Sequence, residues 1–442
     1  MTVPRPGTFV AFRSRDFRLL WGGQTISFVG DAAFLVALGW RVTDLTGKAS
    51  SLGFVLAAES VAMLATLLLG GVLADRYPRK LLMIGSDVAR AALMAVFCAL
   101  DATGRFDLGA VVVLAALFGA ADGFFQPAFG GIVPLVVETP MLASASSWLG
   151  IARQGSAIVG PALAAGLYGT VGPTVVWGID AASFLVSAAA LGAARPRTVE
   201  PPPQLGVRRE LAVGFRYVIG VPWIWTGISA ATVILMVAMS PYVVLLPRVV
   251  QSHYDRGVGA YGLLFSAMAA GMVAGSLAWA RWHPRRHRVA ICFASFGIND
   301  LGIIVLALAS WYPVAVVSAA WRGFWIGIGI SAWLTLISEL VPEHLLSRVL
   351  SFDYFGSFGL TPVGFVLAGI AASAIARAAG ETIPSCSHSA FAPASAASRA
   401  CASQNSGRRK TSTRSIGSSM SSNVGAHGTP CTASQSGRTG MQ

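Results

Sequence analysis

Gly70-Gly71-Val72-Leu73-Ala74-Asp75-Arg76-Tyr77-Pro78-Arg79-Lys80 (GGVLADRYPRK) interrupts an otherwise strongly apolar chain. Apolar runs of about twenty residues flank it, each long enough to cross a hydrocarbon core of about 30 Å as a helix. A charged side chain at the centre of such a helix costs about 2.5–3.5 kcal/mol on insertion scales. Asp75, Arg76, Arg79 and Lys80, with the helix breaker Pro78, therefore mark a tight turn in water between two spans. Basic residues at a turn need no further explanation. Gly70-Gly71 and Asp75, placed just before and just after the end of the apolar run, do. Small residues allow close helix approach, and an acid at that depth can hold a neighbouring helix N-terminus through its dipole.

The composition agrees with this reading. Of 442 residues, 55% are hydrophobic and only 12% charged, about half the charged share of a soluble domain. The chain reads as an all-α polytopic membrane protein embedded in a lipid bilayer. The net charge of +13 does not indicate nucleic acid, because the arginines sit in short loops between apolar runs. No cleavable leader is expected: the first residues are polar and basic, and the first run is long enough to remain as a span. Cys98 and Cys292 lie in apolar runs, Cys386, Cys401 and Cys431 in the polar tail, and none has the spacing of a zinc site. No phosphate-binding loop, zinc-protease helix or nucleophile elbow is found. Neither an enzyme nor a cofactor or metal is expected.

Eleven spans are predicted: 17–41, 51–74, 81–100, 108–127, 145–168, 173–194, 221–246, 258–280, 289–310, 313–336 and 350–375. The connection 195–220, with Pro201-Pro202-Pro203 and five arginines, separates a six-helix N-terminal bundle (1–194) from a five-helix C-terminal bundle (221–377). With the N-terminus inside the cell, seventeen Lys and Arg fall on the inner side and five on the outer, which predicts a cytoplasmic N-terminus. Gly71 and Gly275, and likewise Gly160 and Gly364, are 204 positions apart, the register of a parallel six-helix repeat.

Several motifs carry a resemblance. Gly71-x-Leu73-Ala74-Asp75-Arg76-x-x-Arg79-Lys80 resembles the signature between helices two and three of the major facilitator superfamily of secondary transporters, with Pro78 where that family usually has Gly. Ser156-x3-Gly160-Pro161-x2-Ala164-Ala165 resembles the helix-five motif of its drug–proton antiporters. Ser27-x2-Gly30-Asp31, Asp87-x2-Arg90 and Ser351-Phe352-Asp353…Leu360-Thr361-Pro362-x-Gly364 are similar to the branch of macrolide and enterobactin-type siderophore exporters. The resemblance covers about 13–375 and implies two bundles about a pseudo-twofold axis. It gives Asp75 and Arg79 roles in locking the outward-open state, and Gly160 and Pro161 a role in bending helix five. Two departures stand out. Helix four lacks the family's Arg and carries Asp122, and helix twelve is missing.

Ionisable residues inside spans are functional candidates. Those for proton coupling are Asp31 first and Glu59 second, with Arg90, Asp300 and Arg322. Burial holds a carboxylate's proton and a neighbouring Arg releases it, so exchange between such settings couples proton entry to substrate exit. The alternative is a static neutral core in which Asp31 or Glu59 pairs with Arg90, and Asp300 with Arg322. Asp180 reads as structural. Gln24, Phe34, Trp40, Gln126, Trp148 and Trp325, with Phe124, Phe125 and Trp333, are candidates for a substrate cavity between the halves, or else packing and interfacial anchors.

The expected activity is export of small hydrophobic or amphipathic compounds by proton antiport and alternating access. The protein is expected as a monomer in a bacterial plasma membrane. The rivals are an importer of the same fold and a truncated, non-transporting membrane protein. Residues 378–442, with fifteen Ser and no Leu, Trp or Tyr from 381 onward, have a disordered composition. They read either as a natural tail or as a frameshifted reading frame beginning near 376–384.

Overall fold

The computed structural model describes residues 9–197, 207–282 and 286–378. Both readings of the tail from residue 379 onward therefore lie outside the described residues, as do part of the 195–220 connection and the side chain of Asp75. Among the described residues every regular element is helical: α1 (Arg15–Thr46), α2 (Ala49–Arg76), α3 (Arg79–Ala102), α4 (Leu108–Val136), α5 (Leu142–Val171), α6 (Pro173–Ala193), α7 (Val207–Gly220), α8 (Pro222–Ile234), α9 (Ser240–Ser252), α10 (Val258–Trp282), α11 (Arg288–Leu308), α12 (Tyr312–Leu340), α13 (Glu343–Phe358) and α14 (Thr361–Ala378). The opening stretch turns where its charges require, with α2 ending at Arg76 and α3 beginning at Arg79.

Among the described residues, ten helices or helix pairs are long and apolar enough to cross a membrane. The exception among the eleven expected spans is α5. It has 30 residues, or about 45 Å at 1.5 Å per residue, but Ser144, Ser146, Ser147, Arg153, Gln154 and Ser156 dilute its apolar character. Two spans are interrupted. In the seventh, a π-helical turn over Leu235–Met239 joins α8 to α9. Pro241 follows it without an N–H to donate, and Ser240 Oγ donates to the Leu235 carbonyl at 2.9 Å. In the eleventh, α13 stops at Phe358 and α14 starts at Thr361, because Pro362 cannot continue the hydrogen-bond ladder.

The connection 195–220 differs from the expected loop: its second half is α7. Gly214 and Val218, one turn apart, face inward. Gly214 lies against Arg348 and Phe352 of α13, while Arg216 is exposed. The prolines and arginines of the segment mask this short amphipathic period.

The first bundle packs α1 against α5 and α6, α2 against α4, and α3 against α4 and α6. The second packs α10 and α11 against α12, α9 against α14, and α13 against α7 and α8. The bundles meet where α2 packs on α14 and α5 on α10, the exchange a twofold axis imposes. Glycine makes the close crossings in both halves. A Cβ on Gly119 or Gly123 would strike the backbone of Glu59 or Met63, and one on Gly323 or Gly327 that of Met268 or Met272. Both helix pairs thus carry the Gly-x3-Gly spacing that brings backbones together, 204 positions apart.

Gly71 was expected to share such a crossing with Gly70. Gly70 lies against Gly123 and Phe124 of α4, whereas nothing stands within 4 Å of a Cβ on Gly71. Replacing Gly119 with Ala should therefore lower the thermal stability of the purified protein, at about the 1–3 kcal/mol of an overpacked core. Gly71→Ala should hold or raise it, since Ala favours helix by about 0.5–1 kcal/mol over Gly.

Candidate functional site

A buried guanidinium organises the first bundle. Arg90, on α3, is 2% exposed. Its Nη2 donates to Asp87 Oδ1 at 2.6 Å, one helical turn back. Its Nη1 lies 3.5 Å from Asp122 Oδ1 on α4 and 3.9 Å from Asp31 Oδ2 on α1. The rings of Phe125 and Phe184 flank it, with centroids 4.3 and 4.4 Å from the guanidinium carbon. Such faces favour a cation.

The carboxylates are themselves held. Ser187 Oγ on α6 donates to Asp87 Oδ2 at 2.7 Å and accepts from Gln24 Nε2 on α1 at 2.7 Å. Gln126 Nε2 reaches both oxygens of Asp122 at 3.1 Å. One chain of polar contacts thus crosses α1, α6, α3 and α4. Asp87 has no exposure, whereas the Asp122 and Asp31 side chains are 19% and 33% exposed. Three carboxylates surround one guanidinium, so the cluster can take up protons and keep its arginine paired.

The other proton-coupling candidates are placed differently. Asp31 joins Arg90; Glu59, on α2, does not lie within 4.0 Å of it, because α2 meets α4 rather than α3 across most of its length. Asp180 is fully buried on α6, where Ser183 Oγ is 3.2 Å from its Oδ1, and both lie beneath Gly30. The Asp300–Arg322 pair does not form. Asp300 instead accepts from Asn299 Nδ2 at 2.7 Å, and Arg322 lies over the Tyr242 ring at 3.8 Å.

The bases of the opening stretch bind helix ends. Lys80 Nζ donates to the carbonyls of Gly192 and Ala194 at 2.8 and 2.7 Å, which are terminal carbonyls of α6 left without intrahelical partners. Arg79 donates to the Gly131 carbonyl of α4, and its guanidinium occupies the space a Gly131 side chain would need. Arg76 is exposed. Nearby, Ser14 caps α1 by accepting from Phe17 N at 3.2 Å and donates to the last carbonyl of α4, that of Val136, at 2.6 Å. Cationic donors at helix C-termini also meet the negative end of the dipole.

Gly160 lets α5 cross α1 against Val29 and Ala32, and the Pro161 carbonyl faces Gly262 of α10. The small residues of this motif therefore face both bundles. At the end of the molecule that holds the α1–α2 turn, Trp40 meets Tyr261 of α10 with centroids 5.9 Å apart. Arg248 Nη1 there donates to the Gly47 carbonyl at 2.7 Å.

Most of the proposed cavity residues serve packing. Phe34 is 3% exposed among Phe97, Phe118 and Trp177. Gln24 is spent on Ser187, and Trp148 packs on Phe12 and Trp21 near the chain start. Trp40 seals the bundle contact, and Trp325 lies against Trp321 and Phe324. Trp333 Nε1 donates to Asp353 Oδ1 at 3.0 Å. Of the set, Gln126 bonds directly to a carboxylate of the charged cluster, Phe125 flanks its guanidinium, and Gln24 reaches Asp87 through Ser187. Asp122 is the principal residue the candidate list omitted. Its signal in the sequence was an unexplained acid inside an apolar run.

The comparisons with known proteins fit this geometry. The model of the Major Facilitator Superfamily matches residues 20–364. Macrolide efflux protein A of Streptococcus pyogenes is 23% identical over 373 residues, 81% of this chain and 90% of that one. Enterobactin exporter EntS of Escherichia coli O139:H28 is 25% identical over 342 residues, 75% and 79% of the two chains. Among solved structures, a bacterial homologue of the human lysosomal transporter Spinster, inward-facing and unoccupied, superposes with a TM-score of 0.66 at 14% identity, covering 83% and 84%. A bacterial homologue of the iron transporter ferroportin gives 0.61 at 16% identity, covering 84% and 99%. The chain belongs to the Major Facilitator Superfamily and is a multi-pass membrane transporter, not an enzyme.

Removing one partner of a buried ion pair costs about 3–5 kcal/mol. Arg90→Gln should therefore strongly reduce the yield and melting temperature of the protein in detergent. Adding Asp87→Asn should restore part of the loss, because the double variant no longer strands the fully buried carboxylate.

Proposed function

We propose that this member of the superfamily exports small hydrophobic or amphipathic compounds by proton antiport and alternating access. The observation that carries the proposal is the Arg90 cluster. Asp31 and Asp122 are its two partly exposed carboxylates, and they share the guanidinium with a buried Asp87. A proton arriving on Asp31 neutralises the charge that faces Arg90. Arg90 then leans on Asp87 and Asp122, and α1 is freed relative to α3 and α4. Release of that proton re-forms the contact. The names of the two efflux relatives support export, with a macrolide and enterobactin as first probes.

In this reading the N-terminus is cytoplasmic and the protein works as a monomer in the bacterial inner membrane. Residues 1–194 and 221–377 are the two moving halves, joined by 195–220. The Trp40–Tyr261 and Arg248–Gly47 contacts then lie at the outer face and must part when the cavity opens outward. Rocking of the halves about such contacts is the superfamily's general mode of alternating access. Arg79 and Lys80 fix the inner ends of α4 and α6, so that the first half moves as one body.

The test is uptake into energised everted membrane vesicles, with a panel of labelled amphipathic compounds that includes a macrolide and enterobactin. Export predicts protonophore-sensitive accumulation of at least one compound, lost in Asp31→Asn at equal expression and kept in Gly71→Ala. Accumulation by Asp31→Asn equal to that of the unmodified protein contradicts the coupling role. Gradient-driven uptake only into right-side-out vesicles would make the chain an importer.

A further inference from the structure

Among its described residues, the second bundle contains a buried cation with no carboxylate in direct contact. Arg322, on α12, is 1% exposed. Its stem packs over Gly302 of α11, where any side chain would collide with it. Its guanidinium carbon lies 3.8 Å from the centre of the Tyr242 ring on α9. Among the described residues no carboxylate comes within 4.0 Å. Its Nε and Nη1 are buried without a hydrogen-bond partner, and so is the Tyr242 hydroxyl. Arg90, equally buried, has three carboxylates.

An arginine cannot escape this cost by losing its proton. Water would satisfy the N–H groups but leave the charge unbalanced, and burying an unpaired ion costs several kcal/mol after relaxation. The contact with the Tyr242 ring offsets only part of that cost. Asp300, bonded to Asn299, acts on Arg322 only from beyond contact distance, so the remaining requirement is an anion that meets the guanidinium directly.

The surroundings indicate what an anion held there would lie against. The Tyr242 ring adjoins Phe265 at 6.5 Å, Phe265 adjoins Tyr261 at 5.2 Å, and Tyr261 closes on Trp40 of the first bundle at 5.9 Å. A row of rings therefore leads from the interface between the bundles to the guanidinium.

We propose that Arg322 and Tyr242 form a receptor for an anionic group carried on an apolar or aromatic body: a carboxylate, sulfonate or phenolate of the exported compound. This rests on the export reading for the identity of the cargo. Arg322 Nε and Nη1 donate to the oxyanion, the Tyr242 hydroxyl adds a third donor, and Phe265 and Tyr261 receive the apolar body. The first bundle, with its surplus of carboxylates, takes protons, and the second takes the anion.

The test is equilibrium binding to the full chain in phosphatidylcholine nanodiscs, with empty nanodiscs subtracted. The two probes share one aromatic skeleton: 8-anilinonaphthalene-1-sulfonate, an anion, and N-phenyl-1-naphthylamine, which is neutral. The unmodified chain should bind the sulfonate at least about tenfold more tightly, as a charge-assisted contact requires. Arg322→Gln should remove that preference and leave the neutral probe within about twofold, while Arg322→Lys keeps part of it. Equal affinity of the unmodified chain for both probes, a reading that needs no variant, overturns the proposal. So does a preference that survives Arg322→Gln. Repeating the titration with phosphatidylglycerol in the disc distinguishes the source of the anion. Lipid that displaces the sulfonate only when Arg322 is present would reassign the site to a lipid headgroup and overturn the cargo assignment. Binding is read without a gradient, so a failure of vesicle export leaves this result standing, and the reverse holds too.

Discussion

Arg90 is the constraint on which the first bundle depends. Placing a guanidinium at 2% exposure between apolar helices is tolerable only if carboxylates from several elements converge on it. That requirement fixes the rotation of α1, α3 and α4 about their axes. Asp31, Asp87 and Asp122 must face one point, and Ser187, Gln24 and Gln126 then orient the carboxylates. The same cluster is partly exposed on the side of Asp31 and Asp122, so the group that holds the helices together is also the group that protons can reach. In the proposed function, stability and coupling are two uses of one set of charges.

Around that cluster the halves are assembled by near-identical devices. Gly119 and Gly123 let α4 approach α2 to backbone contact, and Gly323 and Gly327 do the same for α12 and α10. At the bundle interface Gly262 meets Pro161, and Gly53 meets Phe365, the residue 204 positions beyond Pro161. Small residues bring these backbones together, and a few side-chain bonds cross the same surfaces, such as Ser266 Oγ to the Ile158 carbonyl at 2.7 Å. The Lys80 and Arg79 contacts to helix ends tie α3 to α6 and α4.

Much of this was legible in the chain. Charges cannot rest in lipid, so the stretch 75–80 had to be a turn, and the spacing of Asp87 and Arg90 announced a local pair. The fold followed from apolar runs and motif resemblance. What stayed hidden depends on distance along the chain. Asp122 lies 32 residues from Arg90 and Lys80 lies 112 from Gly192, and no local pattern links them. The alternative in which Asp300 pairs with Arg322 is not seen as a direct contact, because two opposite charges on adjacent spans need not share a face. Asp300 follows Asn299 and bonds to it, while Arg322 turns toward α9. Helix α7 was missed because its apolar face is only Gly214, Tyr217 and Val218, set among arginines.

If the Arg90 cluster is where protons exchange, one carboxyl in it must change protonation within the pH range in which the protein transports. Infrared difference titration of the purified protein in lipid, comparing the unmodified chain with Asp31→Asn, reads that carboxyl directly. A protonated-carboxyl band that grows as pH falls across that range, and that Asp31→Asn removes, would place the coupling proton on Asp31. A band unaffected by Asp31→Asn, or no titrating carboxyl band in that range, would mean that the cluster is a static ion network and that protons travel elsewhere.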